Sequence, residues 1–192
     1  MDRSVGPGQA ARECLIFEET GLGGAYIVDP ELHRDDRGFF ARTWCQKEFR
    51  ERGLNPRLVQ CNVSLNLKKG TLRGMHHQEA PYEEAKLVRC TMGAICDIIV
   101  DLRPDSPTFR KHFAVTLSAE NRKMLYIPEK FAHGFITLAD NTEVFYQMSE
   151  FYSQESARGF RWNDPFFGIR LPLEVAVISE RDGNYPDFRP RT

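Results

Sequence analysis

The stretch Gly70–Arg103, GTLRGMHHQEAPYEEAKLVRCTMGAICDIIVDLR, concentrates side chains able to move protons. Arg73, His76 and Lys86 lie at spacings that could bring a cation, a base and a second cation into one cavity. Histidine is the residue best tuned to exchange a proton near neutral pH. His76 and His77 are adjacent, so on a strand they point to opposite faces and only one can face an interior. A lone strand histidine is more often a satisfied structural residue than a catalyst. Here Arg73 lies three residues away, and Gly74 lets something approach the backbone closely, which shifts the weight toward chemistry.

The other candidates are bland one at a time. Lys86 leads an otherwise apolar strand and by default keeps its head in water. Tyr146, in EVFYQM, is a core tyrosine by default. Asp182, in SERDGN, reads as a turn residue. His133, in IPEKFAHGF, has the look of half of a cupin metal motif. The other half would need His-x-His and a glutamate, and His76-His77 breaks that alternation, with Glu79, Glu83 and Glu84 only loosely placed. A metal normally needs three or four convergent ligands, so a metal-free cavity is the better reading.

Short strands with turn signals must position these residues. Gly24–Val28 is a strand stopped by Asp29-Pro30, and His33–Phe40 is a polar turn running into two phenylalanines. Thr43–Gly53 has helical spacing, with Trp44, Phe49 and Leu54 near one face. Leu58–Leu67 alternates as a strand, and Thr71–Met75 is a short one ending at the histidine pair. Ala85–Thr91 and Ala94–Leu102 flank Met92-Gly93 and read as a long hairpin. Lys111–Leu117, Lys123–Ile127, Gly134–Leu138 and Thr142–Met148 follow, and Leu173–Ile178 is a late strand or short helix. This series argues for an all-β fold, a jelly-roll or cupin-type β-sandwich or barrel with short peripheral helices.

The 192 residues suit one domain, 13–192, behind a mobile polar tail, 1–12. A net charge of −1 gives no reason to expect a nucleic-acid surface, though a small anion could still meet a local cationic cluster. No leader or membrane-spanning run is evident, and five cysteines without CxxC spacing fit reduced thiols in the cytoplasm.

Taken together, LRGMHHQ, KLVRC, DLRPDSPTF, LSAENRKMLYIPEKFAHGF, EVFYQMSEFYS and RGFRWNDPFFGI resemble, in order and spacing, the dTDP-4-dehydrorhamnose 3,5-epimerase family. DDRGFF near the start matches too, and the similarity spans roughly residues 24–185. The resemblance implies a cupin-fold homodimer that uses no metal or dissociable cofactor. Its substrate would be a nucleotide-diphosphate-linked 4-keto-6-deoxy sugar. It makes His76 the base, Asp182 its carboxylate partner, Tyr146 the acid on the other sugar face and Lys86 the cation near the C4 oxygen. It gives Gln60, Asn62, Arg73, His133 and Tyr152 to ligand binding. Arg37 and Phe40 would reach the nucleotide of the neighbouring subunit, against which the N-terminal segment packs.

The chemistry suits these types. A proton α to a ketone needs a base on one face and cationic or hydrogen-bonding donors at the oxygen that gains charge. The nearby alternatives are a 3,4-ketoisomerase, a metal-dependent cupin and a non-catalytic sugar-binding cupin. Three departures bear on specificity. Arg42 stands where the family commonly carries glutamate, so it either reads a base other than thymine, as in a CDP-sugar, or points into solvent. Cys61 and Val63 replace polar residues, and His77 replaces an aromatic.

Overall fold

The structure, a computed structural model, describes residues 14–189, so the expected tail at 1–12 lies outside the described residues. Two sheets face one another. The first contains β1 (Leu15–Glu19), β2 (Tyr26–Pro30), β5 (Gln60–Asn66), β7 (Lys86–Met92), β10 (Met124–Ile127) and β12 (Thr142–Met148), in the order β1-β2-β10-β7-β12-β5. The second contains β6 (Thr71–Gln78), β8 (Ala94–Asp101), β9 (His112–Ser118), β11 (Phe131–Thr137) and β13 (Ala157–Gly159), in the order β13-β6-β11-β8-β9. The two-residue β14 (Val177–Ile178) pairs parallel to β6. A separate hairpin joins β3 (His33–Asp35) to β4 (Gly38–Phe40). Helix α1 (Gln46–Glu51) and the single turn α2 (Glu180–Gly183) complete the chain.

From β5 to β8, and again from β9 to β13, successive strands alternate between the sheets, which is the jelly-roll arrangement expected. The alternation also overturns one local reading. β7 and β8 do not form a hairpin: β7 pairs with β10 and β12, and β8 with β9 and β11. Gly93 turns the chain from one sheet to the other at φ 76°, where a Cβ would lie 2.4 Å from Thr142 Oγ1. A short apolar-turn-apolar pattern fixes the turn but not which sheet receives the second strand. His33–Phe40, read as a polar turn, instead forms β3 and β4.

The central strands β10 and β11 are covered on both faces and read as near-continuous apolar runs, whereas β5 and β9 alternate between covered and exposed residues. Val88, Cys90, Ile95, Ile99, Leu117, Leu125, Phe135 and Val144 fill the space between the sheets. Behind the first sheet, Leu87 and Met124 meet Phe49 and Leu54 around α1. Phe49 is 1% exposed, and its burial contributes about 2–3 kcal/mol. Behind the second sheet, Met75, Ile98 and Val100 pack on Phe160, Phe167 and Ile169. The DLRPDSPT motif is structural. Asp101 is fully buried and accepts from Arg103, Ser106 and Thr108; burial pushes its carboxyl up, but these donors outweigh it and hold it down to about 2. No helix among the described residues is long and apolar enough to cross a membrane.

Candidate active site

The core fills one end of the space between the sheets, and polar side chains occupy the rest. Strand alternation explains which ones. On β12, Val144 is core, so Tyr146 and Met148 also point inward; β7 places Lys86 opposite Met148, and β5 places Asn62 opposite Tyr146. Gln60, Asn62, Lys86, Tyr146, His76 and Tyr152 line a cavity of about 300 Å³. An adjoining lobe of about 180 Å³ is lined by Ser64, Arg73, His133 and Phe135 together with the same His76, Lys86 and Tyr146.

Arg73 and His76 would face opposite sides of a regular strand. They share this lobe because β6 carries an extra residue. Arg73 pairs with Phe135 and His76 with His133, three residues on β6 against two on β11. Such a bulge re-aims the side chains on either side of it. Gly74 occupies the irregularity at φ 138°, and a Cβ there would lie 2.5 Å from the Gly134 Cα. The close backbone approach expected at this glycine is therefore real.

His76 Nε2 lies 2.7 Å from Asp182 Oδ1, and the other Asp182 oxygen accepts the Gly74 N–H at 3.1 Å. Asp182 sits on α2, which Ser179 caps by accepting the Asp182 N–H at 3.0 Å. Burial pushes the Asp182 carboxyl up, yet the His76 contact and the Gly74 amide outweigh it, so the group lies below its ordinary range. An ionised Asp182 accepts the Nε2–H and leaves Nδ1 with the lone pair. His77 takes the opposite side of β6; it borders the outer lobe and a second groove beyond it, but not the deeper lobe.

On the facing sheet, burial raises the Tyr146 hydroxyl, opposed only partly by the Arg73 charge, so Tyr146 stays a protonated donor. Lys86 is buried, not the water-facing lysine of the default reading, and its Nζ lies 2.8 Å from Glu84 Oε1. Arg73 is fixed by donating from Nε to Asn66 Oδ1 at 2.7 Å. Gln60 donates to Asn62 Oδ1 at 3.2 Å and accepts the Tyr152 N–H at 3.1 Å. His133 Nε2 lies 2.7 Å from Asp97, which is fully buried.

Three expected residues stand apart from this cavity. Arg37 and Phe40 are exposed on the β3–β4 hairpin, and Arg37 is paired with Asp35. Arg42 is 3.2 Å from the buried carboxylate of Glu48. Cys61 and Val63 face outward on β5 and do not line the cavity. The sequence reading missed Asp97 and Arg181 and weighed Glu84 only as a loosely placed metal ligand, not as the partner of Lys86; Arg181 lines the outer lobe, and a hydrogen bond with Tyr152 is the main cause of its raised pKa. A lone acid inside the apolar run AICDIIV was the available signal for Asp97.

Proton-exchanging groups set on two facing walls of one jelly-roll cavity suit acid–base chemistry on both faces of a substrate, as an isomerase requires. The comparisons narrow this. A family model described as dTDP-4-dehydrorhamnose 3,5-epimerase matches residues 19–190, and the chain belongs to that family. It is 45% identical over 177 residues to the dTDP-4-dehydrorhamnose 3,5-epimerase of Methanothermobacter thermautotrophicus, covering 90% of this chain and 94% of that protein. The crystal structure of the enzyme from Elizabethkingia anophelis superposes with a TM-score of 0.89 at 38% identity, covering 92% of this chain and 97% of that one. The Bacillus anthracis enzyme, solved with TDP and PPi bound, gives a TM-score of 0.87 at 40% identity and covers 91% and 99%.

Proposed function

We propose that the protein inverts C3, C5 or both carbons of a nucleotide-linked 4-keto-6-deoxyhexose through an enolate. The observation that carries this reading is the placement of His76, paired with Asp182 of α2, on one sheet and of Tyr146 with Lys86 on the other, around one cavity. His76 Nδ1 removes the proton α to the ketone, and Asp182 stabilises the imidazolium that forms. Lys86 and Arg73 hold the oxygen that gains charge. Tyr146 then protonates the carbon from the opposite face, and the Arg73 charge stabilises the tyrosinate left behind. Positioned groups of this kind contribute about 10²–10⁴-fold each. No step needs a metal or a redox cofactor.

Gln60, Asn62, Tyr152 and Arg181 mark the outer lobe as the side from which the nucleotide diphosphate extends. The relatives' names support dTDP as the nucleotide, and Arg42 is engaged by Glu48 rather than open to a cytosine. Arg37 and Phe40, remote from their own cavity, complete the nucleotide site of a second copy in a homodimer. Support comes from β5, an edge strand whose outward Val63 and Leu65 are 62% and 51% exposed, with Leu67 just beyond it 67% exposed. Light scattering should give twice the chain mass, and Val63→Glu should halve it; a monomeric wild type would refute the dimer.

The test of the reaction is solvent deuterium incorporation into dTDP-4-keto-6-deoxyglucose, with stereochemistry read by NMR. His76→Asn should abolish both exchange and inversion. Tyr146→Phe should keep exchange, because His76 can return a deuteron to its own face, but lose inversion. Undiminished inversion in either variant would sink the assignment. Faster turnover of the CDP-sugar would overturn the choice of nucleotide.

A further inference from the structure

A second cluster of reactive side chains lies at the other end of the first sheet, sharing no residue with the epimerase cavity. Cys14 precedes β1 and Glu31 follows β2. The Glu31 N–H donates to the Cys14 carbonyl at 2.8 Å and extends the Leu15–Pro30 pairing by one step. The Cys14 and Leu15 N–H groups both donate to Glu48, at 3.1 and 3.0 Å, which anchors this strand end. His33 opens β3 two residues after Glu31. The Cys14 sulfur, a Glu31 carboxylate oxygen and a His33 ring nitrogen all lie within 4.8 Å of one another.

We propose that Cys14, Glu31 and His33 form a binding site for a zinc-type divalent cation, with a fourth position open to water. The donor set selects the metal. A thiolate and an imidazole favour zinc or a similar transition ion, whereas calcium and magnesium favour oxygen ligands. The geometry needs little change. Tetrahedral zinc with bonds of about 2.0–2.3 Å sets its ligands roughly 3.5 Å apart. The donors must therefore close by about 1 Å, within reach of side-chain rotation by the exposed His33 and half-buried Glu31 over a backbone already fixed. Charge also suits: a thiolate and a carboxylate balance a divalent ion, while the neighbouring Arg42 is held by Glu48.

Such a site ties three pieces of chain together: the start of β1, the end of β2 and the root of the β3–β4 hairpin. Its effect is to fix the hairpin that displays Arg37 and Phe40. The site itself stands whether or not the epimerase reading holds.

Cobalt reports the ligands directly. The full chain, stripped with a chelator and dialysed, is titrated with Co²⁺ and then Zn²⁺, with circular dichroism confirming the fold. One Co²⁺ per chain should bind with a thiolate-to-cobalt charge-transfer band and tetrahedral d–d bands, and Zn²⁺ should displace it. Cys14→Ser should remove the charge-transfer band. Glu31→Gln and His33→Gln should each weaken zinc binding at least about tenfold. Cys61→Ser, on a distant exposed strand, should change nothing. His33→Gln alters an exposed side chain and keeps the test valid if Cys14→Ser fails to fold. Absence of 1:1 binding at micromolar cobalt, a band retained in Cys14→Ser, or a band lost in Cys61→Ser would overturn the proposal. Deuterium exchange measured on the same metal-stripped sample tests the epimerase reading separately.

Discussion

Replacing Asp182 by asparagine isolates the contribution of one carboxylate to the base. Asp182 is 5% exposed and holds two donors, the His76 ring at 2.7 Å and the Gly74 amide at 3.1 Å. In Asp182→Asn the new side-chain oxygen can still accept from Gly74, so the backbone bulge keeps its anchor. The new side-chain NH₂ then faces His76 as a donor. The imidazole must accept at Nε2 and carry its proton on Nδ1, the atom that should take the substrate proton. The stabilising charge opposite the imidazolium is also lost. We expect kcat to fall on the order of 10²–10⁴-fold, or about 3–5 kcal/mol of barrier, with KM little changed. The assay is deuterium exchange near pH 7.5, where the depressed Asp182 carboxyl is ionised in the wild type. The sign for stability follows as well. A folded pKa below the ordinary 3.8 contributes stability that is present above that pH and lost as the pH falls through the folded value. The variant should lack this acid-sensitive contribution. Turnover within about threefold of wild type, or a loss carried by KM alone, would refute the tautomer argument.

Lys86→Met should destabilise the fold by about 3–5 kcal/mol, because it leaves Glu84 buried with 4% side-chain exposure and no cation. Adding Glu84→Gln should restore most of that stability in urea unfolding but none of the turnover; recovered turnover would argue against Lys86 acting on the enolate. Burial holds His77 down from 6.5 to about 4. The unfolded chain therefore binds its proton first, so this contribution is complete above pH 6.5 and declines toward pH 4 by up to about 3 kcal/mol. His77→Gln should flatten that limb of a stability profile, and an unchanged slope would assign it to other groups.

The sequence by itself determined the residue types and most of the strands. Alternation, short apolar runs and turn residues placed β5, β7, β8, β9, β11 and β12 to within a few residues, because strands covered on one or both faces impose those patterns locally. The family-specific motifs carried His76, Lys86, Tyr146 and Asp182 to one site, and the structure does gather them. Tertiary structure decided the rest. Alternation says inward or outward but not which sheet, so two strands that look like a β7–β8 hairpin part into different sheets. One extra residue at Gly74 puts Arg73 and His76 on the same side, which no regular strand would do. Asp182 meets His76 across 106 positions, and Asp97 meets His133 across 36; a buried acid announces that it has a partner but not which one. The ion pair of Arg42 with Glu48, six residues on and buried, is likewise visible only in the folded chain.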